Sequence, residues 1–107
     1  MRLICSALIV LGVFVATPTI ADYHAYGAGL KSCGTWTQKR KSKDWYEAGQ
    51  WVLGYITAYG YYGSDNLKDV EAPGMAAWLD NYCQQNPLES IETATQKLIE
   101  TLKMKKQ

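Results

Sequence analysis

Apolar residues recur every three or four positions along residues 44–62, which is the spacing of one face of an α-helix. The recurring positions are Trp45, Ala48, Val52, Tyr55 or Ile56, and Tyr59. Asp44 is the predicted N-cap, and Glu47 three residues later completes a capping pair. Gly54 and Ala58, four residues apart, form a smooth patch that a second helix could approach closely. The pattern predicts a long helix with a broad aromatic face.

Two further helices are predicted to begin at Pro73 and at Pro87, because proline is tolerated in the first turn of a helix. One face of the first carries Met75, Trp78, Leu79, Tyr82 and Cys83. One face of the second carries Leu88, Ile91, Thr95, Leu98 and Leu102. Asn86 is the predicted N-cap of this last helix, and Pro87 is its first residue. With a short helix within 33–43, the sequence predicts an all-α fold, a small bundle of three main helices plus a short N-terminal helix.

The first 21 residues have the layout of a cleavable secretory signal peptide. Arg2 is their only charge, residues 3–16 are apolar or small, and Thr19 and Ala21 fit the positions before a signal peptidase cut. The apolar run meets Pro18 and is shorter than the roughly 20 residues that a membrane-spanning helix needs. We therefore predict cleavage after Ala21, no membrane anchor afterwards, and a mature protein that is periplasmic or secreted.

Residues 22–107 are predicted to form a single small helical domain. Segment 22–32 is polar and glycine-rich without periodicity, so we expect a flexible, extended lead-in. Cys5 leaves with the signal peptide, and Cys33 and Cys83 remain. An even number of cysteines in an exported domain favours a disulfide. The predicted bond closes a loop of about 50 residues and supplements a core too small to be very stable.

The charge and the motifs of the chain argue against nucleic-acid binding, metal binding and histidine-based catalysis. Without Arg2, ten basic side chains balance ten acidic ones, so no broad basic field attracts nucleic acid or an anionic membrane. The basic cluster Lys39, Arg40, Lys41 and Lys43 is either an anion-binding patch or, as we favour, a solvated helix face. His24 is the only imidazole and lies in the lead-in. Metal-ligand spacings and cofactor motifs are absent from the sequence, so neither a metal nor a cofactor is predicted.

Four tryptophans and eight tyrosines fall within residues 22–107, and this richness favours a binding surface. The candidate contact residues are Tyr55, Tyr59, Tyr61, Tyr62 and Trp78. The leading hypothesis is a non-catalytic, exported helical module that binds a protein of the cell envelope, and a homodimer is left open. The alternative is a small cell-wall-acting enzyme or carbohydrate-binding protein that uses Asp44, Glu47 or Asp80. Capping explains the first two carboxylates more simply, so no catalytic residue is assigned.

Two segments resemble those of small helical proteins of the bacterial envelope. They are WVLGYITA at 51–58 and WLDNYCQQNPL at 78–88, between a cysteine that precedes the long helix and a closing amphipathic helix. This layout over 33–102 is similar to that of the HdeA/HdeB acid-stress chaperones and of the Tai-type immunity proteins, which neutralise cell-wall amidases delivered by type VI secretion. The resemblance implies a bacterial periplasm, an all-α fold and action by protein binding, either immunity-like or chaperone-like.

Overall fold

A computed structural model of the protein describes Gly12 and residues 23–104, and this part of the chain contains four α-helices and no strand. The helices are α1 (Cys33–Lys41), α2 (Tyr46–Tyr62), α3 (Ala72–Gln85) and α4 (Ile91–Leu102), preceded by a 3-10 helix at Gly27–Leu30. The predicted all-α fold with three main helices and a short N-terminal one is confirmed. The predicted signal peptide, residues 1–21, lies outside the described residues except for Gly12. None of the helices described is long and apolar enough to cross a membrane.

The core forms where the apolar faces of the four helices meet. α1 packs mainly on α3, α3 packs on α4, and α2 packs on α4 and on the 3-10 helix. The largest fully buried side chains are Trp36, Val52, Met75, Leu79, Ile91 and Leu98. Each such side chain stabilises the fold by roughly 1.5–3 kcal/mol relative to an exposed position. The predicted apolar stripes of α3 and α4 therefore supply most of the core.

The predicted disulfide between Cys33 and Cys83 is confirmed. It joins the first residue of α1 to the last turns of α3, with the two Cα atoms 4.7 Å apart and both side chains completely buried. A helix of nine residues such as α1 is marginal in water on its own, because few of its backbone hydrogen bonds offset the cost of nucleation. The covalent bond therefore fixes a short element that could not be held by its own backbone.

Backbone hydrogen bonds tie the start of α1 to the loop between α3 and α4. The N–H groups of Cys33 and Gly34 donate to the carbonyl oxygens of Glu89 and Pro87, at 2.7 and 2.9 Å. The first N–H groups of a helix have no partner within the helix. The loop carbonyls supply that partner, and the loop is thereby fixed in a non-helical conformation.

This arrangement corrects the predicted start of the last helix. α4 begins at Ile91 and not at Pro87, and Ser90 is its N-cap, with Oγ accepting the N–H three residues on at 3.0 Å. Asn86, the predicted N-cap, instead ends α3. Leu88, which was predicted on the apolar stripe, is 95% exposed. The reason is that the loop carbonyls accept hydrogen bonds from α1 and cannot start a helix of their own.

The predicted capping of α2 by Asp44 and Glu47 is also wrong. Lys43 has a φ of 60°, and the Asp44 N–H donates to the Lys39 carbonyl oxygen at 2.9 Å. This is a Schellman ending of α1, in which the residue after the C-cap turns left-handed. Asp44 therefore belongs to the end of α1, and its carboxylate pairs with the Lys39 ammonium group at 3.1 Å. α2 starts at Tyr46, without a side-chain cap.

The second half of segment 22–32 is folded, which corrects the expectation of an extended lead-in. Gly27–Leu30 forms the 3-10 helix, and Gly29 is buried. The Trp51 indole of α2 lies so close to Gly29 that a Cβ atom there would overlap the ring. The indole Nε1 also donates to the Tyr26 carbonyl oxygen at 2.6 Å. One tryptophan therefore fixes this segment against α2.

Replacing both bridging cysteines, Cys33→Ala with Cys83→Ala, is expected to lower the free energy of unfolding by about 4 kcal/mol. The bond spans 50 residues along the chain, and without it the unfolded chain has more conformations. Urea unfolding followed by circular dichroism measures the difference. A double variant as stable as the wild type would show that side-chain packing alone holds α1 in place.

Gly29→Ala is expected to destabilise the protein by about 1–3 kcal/mol, because the new methyl group would displace the Trp51 indole. Gly54→Ala is the matched control, since a Cβ atom there meets no described atom within 4 Å. The control is expected to be about 0.5–1 kcal/mol more stable than the wild type, because alanine favours a helix. Equal unfolding free energies for the two variants would contradict the close contact.

Candidate functional site

Tyr61 and Tyr62 are the two predicted contact residues that face solvent. They lie at the end of α2 with 79% and 85% of their surface exposed. Their rings meet edge to face, with centroids 4.8 Å apart. Edge-to-face contact is a favourable geometry for two aromatic rings, so the pair, called the tyrosine pair below, presents a preformed apolar surface.

The other three predicted contact residues, Tyr55, Tyr59 and Trp78, are half-buried and pack within the fold. The Trp78 ring stacks on that of Tyr82, with centroids 5.4 Å apart. The Tyr59 hydroxyl donates to an Asp65 carboxylate oxygen at 3.0 Å. These rings already have partners within the chain, so much of their surface serves the fold.

An aromatic cleft of about 490 Å³ lies between α2, the first turn of α4 and residues 23–26. Its walls include Tyr23, Tyr26, Trp51, Gly54, Tyr55 and Glu92. The Trp51 and Tyr55 rings lie one turn apart on α2, with centroids 5.2 Å apart. Gly54 between them has no side chain, which keeps this part of the wall open.

A hydrogen-bonded cluster joins the cleft to α4. The Tyr23 hydroxyl donates to Glu92 Oε1 at 2.6 Å, and Gln96 Nε2 donates to the hydroxyl oxygens of Tyr23 and Tyr55 at 3.0 and 3.2 Å. Glu92 Oε2 is buried and has no hydrogen-bond partner among the residues that the structure describes. The bond to the Glu92 carboxylate raises the pKa of Tyr23, because deprotonation of the phenol would break that bond.

Asp80, one of the three candidate catalytic carboxylates, connects α3 to α1. Trp36 Nε1 donates to Oδ1 at 2.9 Å, and Arg40 donates to the carboxylate from Nε and Nη2, each at 3.0 Å. The hydrogen bonds from Arg40 to Asp80 raise the pKa of Arg40. The guanidinium carbon of Arg40 also lies 4.6 Å from the centre of the Trp45 ring. Both carboxylate oxygens of Asp80 are thus engaged, and the group acts as a brace between two helices.

The three candidate carboxylates do not share one groove. Asp44 and Glu47 line a groove between the 3-10 helix, α1 and α2. Asp80 lines another, beside Lys41 and Lys43. A two-carboxylate glycosidase needs both carboxyl groups on either side of one sugar linkage. Asp80 is therefore not placed to form such a pair with Asp44 or Glu47, and of the two carboxylates that share a groove, Asp44 is already paired with the Lys39 ammonium group.

The predicted basic cluster is partly neutralised by acidic partners. Lys39 pairs with Asp44, and Arg40 pairs with Asp80. Lys41 and Lys43 are exposed at the end of α1. Half of the cluster therefore has acidic partners within the chain, and the other half is solvated.

Within residues 23–104, no group of three or more histidine, cysteine or acidic side chains is placed to hold a metal ion. His24 is exposed at the aromatic cleft, and Cys33 and Cys83 are bonded to each other. The absence of a cofactor and of a metal from the working protein stays a prediction.

Comparison of the chain with known proteins identifies no relative whose function could be compared with its own. It matches no protein-family model, no curated protein and no solved structure. The resemblance to the HdeA/HdeB chaperones and the Tai-type immunity proteins therefore stays a prediction.

The sequence did not predict the cluster of Tyr23, Glu92 and Gln96. Tyr23 stood in the expected lead-in, and Glu92 follows it by 69 residues, so no local pattern joins them. The available signal was the polar side chain of Gln96 beside the apolar stripe of the last helix. Polar residues at such edges are common, and only packing shows which of them meet.

Asp80→Asn is expected to lower the free energy of unfolding by about 1 kcal/mol, because it replaces charge-assisted hydrogen bonds from Arg40 by weaker ones. Partial exposure of the pair, 31% for the Arg40 side chain and 39% for Asp80, limits the effect. The matched control is Asp44→Asn, whose side chain is 75% exposed and whose loss is expected to cost less than about 0.5 kcal/mol. Urea unfolding measures both. Equal losses would show that Asp80 is no more structural than a surface carboxylate.

Proposed function

We propose that this protein is a non-catalytic, exported module that acts by binding another protein in the cell envelope. The observation that carries the proposal is the tyrosine pair, Tyr61 and Tyr62, two large aromatic side chains exposed side by side at the end of α2. Tyrosine is enriched at the centres of protein interfaces, where it supplies a large contact area and a hydroxyl group with little conformational freedom to lose.

The surface next to the tyrosine pair is suited to a flat partner. Gly54, Ala58 and Tyr61 are four and three residues apart, so they lie on one face of α2, and all three are exposed. Apart from residues 53–55 and the backbone of α2, no described atom lies within 4 Å of the Cβ position of Gly54. A partner helix or strand could therefore approach the α2 backbone closely while it contacts Tyr61.

Export is supported by the signal-like layout of residues 1–21 and by the buried disulfide. Disulfides persist mainly in oxidising compartments such as the periplasm and the extracellular space. The bond between Cys33 and Cys83 is compatible with that setting. It also gives the module a rigid frame, which lowers the entropy lost when a partner binds.

The placement of acidic groups supports binding over catalysis. Asp80 is engaged by Trp36 and Arg40, and Asp44 is paired with Lys39. The rival function, a small enzyme or carbohydrate-binding protein of the cell wall, would need such carboxylates free and close together.

An immunity-like role fits this surface better than a chaperone-like one. The tyrosine pair is displayed on the folded protein at the end of a helix whose other face is anchored by Val52 and Ile56. An acid-activated chaperone would instead expose its contact surface only after acid loosens the fold. A folded, rigid surface is the form that neutralisation of one defined partner requires.

The double variant Tyr61→Ser with Tyr62→Ser is expected to lose the partner. Crosslinking in envelope extract followed by mass spectrometry measures the amount of each crosslinked protein. A defined partner should fall by at least about tenfold, which corresponds to a loss of about 1.4 kcal/mol of binding free energy.

The control is Tyr46→Ser, which removes a tyrosine of similar exposure, 77%, from the other end of α2. It should keep the partner, and both variants should melt like the wild type because neither position is buried. The same spectra give the mass of the exported chain, which should begin at Asp22. A double variant that keeps every wild-type crosslink would overturn the proposal.

A further inference from the structure

We propose that the aromatic cleft binds a lysine or arginine side chain of the protein partner. This inference rests on the proposed function for the source of the cation, and it adds a second, charged contact to the apolar one at the tyrosine pair. The cleft is open to one side of α2 and is separate from Asp80 and from the disulfide.

The charge of the cleft selects a cation. Of the described residues that line it, Glu92 is the acidic one, and no lysine or arginine stands among them. The ion pairs of the described residues use other carboxylates, those of Asp44, Asp65, Asp80 and Glu100. The charge of Glu92 is therefore uncompensated by any cation of residues 23–104, although the mature chain has as many basic as acidic side chains.

The buried oxygen of Glu92 makes this charge effective. Oε1 accepts the Tyr23 hydroxyl at 2.6 Å, while Oε2 is shielded from water and has no described hydrogen-bond partner. A carboxylate that water cannot fully solvate attracts a nearby cation more strongly than an exposed one, because less solvent screens the field. The cation does not need to touch Oε2, because Coulomb attraction between the carboxylate and a cation in the cleft acts beyond contact distance.

The aromatic walls of the cleft provide a second attraction for a cation, in addition to the charge of Glu92. Trp51 and Tyr55 present a tilted pair of rings, and Tyr23 and Tyr26 are exposed at 59% and 78%. The face of an aromatic ring carries partial negative charge and attracts ammonium and guanidinium groups, with tryptophan the strongest. Aromatic walls around one carboxylate favour a cation with an aliphatic stem, which is the chemistry of lysine and arginine side chains.

Space and position agree with a side chain delivered by a partner. The cleft volume of about 490 Å³ exceeds that of one long side chain. Gly54 borders the cleft and also begins the exposed face that leads to Tyr61. Seven residues of helix separate the two, which is about 10 Å along α2. One partner could therefore cover the tyrosine pair and insert a basic side chain into the cleft.

The test uses the purified protein, expressed from the full-length sequence, and small probes in place of the partner. Nα-acetyl-lysine methylamide and Nα-acetyl-arginine methylamide are titrated in nitrogen–proton NMR spectra. Nα-acetyl-norleucine methylamide, which has an aliphatic stem but no charge, is the matched control. We expect the cationic probes to shift the Trp51 indole and Gly54 signals, with affinity at least about tenfold above that of the neutral probe.

Two variants locate the site. Glu92→Gln should weaken the cationic probes about tenfold, whereas Glu89→Gln, which removes the same charge from an exposed position just before α4, should leave them unchanged. Gly54→Leu should fill the cleft and abolish probe binding, and because a Cβ atom at this exposed helical position meets no neighbouring side chain, the fold should be kept, which thermal unfolding checks.

Any of the following results would overturn the inference: equal binding of the neutral and charged probes, unchanged binding by Glu92→Gln, or shifts that map away from the cleft. Binding of N-acetylglucosamine to the cleft in place of the cationic probes would do the same and would favour a carbohydrate. None of these results depends on Tyr61 or Tyr62. The proposed protein-binding function fails separately, if the double tyrosine variant keeps its crosslinked partner.

Discussion

The disulfide between Cys33 and Cys83 fixes the short helix α1 against α3, and much of the remaining structure follows from that attachment. Nine residues of helix are too few to be stable in water, so α1 depends on groups outside itself. The Arg40–Asp80 pair braces its other end, and the Trp36 side chain fills the space between. The disulfide, the ion pair and the buried tryptophan all connect α1 with α3. Together they hold α1 along its length.

The position of α1 decides where its neighbours begin. Its first N–H groups donate hydrogen bonds to the carbonyl oxygens of Pro87 and Glu89, and α4 consequently starts at Ile91. Glu92 then falls in the first turn of α4, where a negative charge is favourable near the helix N-terminus. From that position it accepts the hydroxyl of Tyr23 and borders the aromatic cleft. A loop fixed by the disulfide region thus places the acidic group of a candidate binding site.

The aromatic residues serve two purposes that composition alone does not separate. Trp36 is part of the core, and Trp51 holds Gly27–Leu30 against α2. The tyrosine pair at Tyr61 and Tyr62 has no such task, and its exposure is the strongest support for a contact surface. The exposed rings, the open face of α2 next to them and the charged aromatic cleft are the features on which the proposed binding function rests.

Helix count, helix type and the disulfide pairing were decided by the sequence itself, because apolar spacing and the number of cysteines are local, countable features. The stripe Ile91, Thr95, Leu98 and Leu102 is buried as its spacing predicts. Helix ends were not predictable, since Asp44 completes the turn that ends α1, and the carbonyl oxygens of Pro87 and Glu89 accept hydrogen bonds from α1, which is distant in the sequence. Which tyrosines face solvent, and the meeting of Tyr23 with Glu92, were decided only by the tertiary structure. Hydrogen bonds and ring contacts between distant segments leave no periodic trace in the chain, whereas burial of a helix face does.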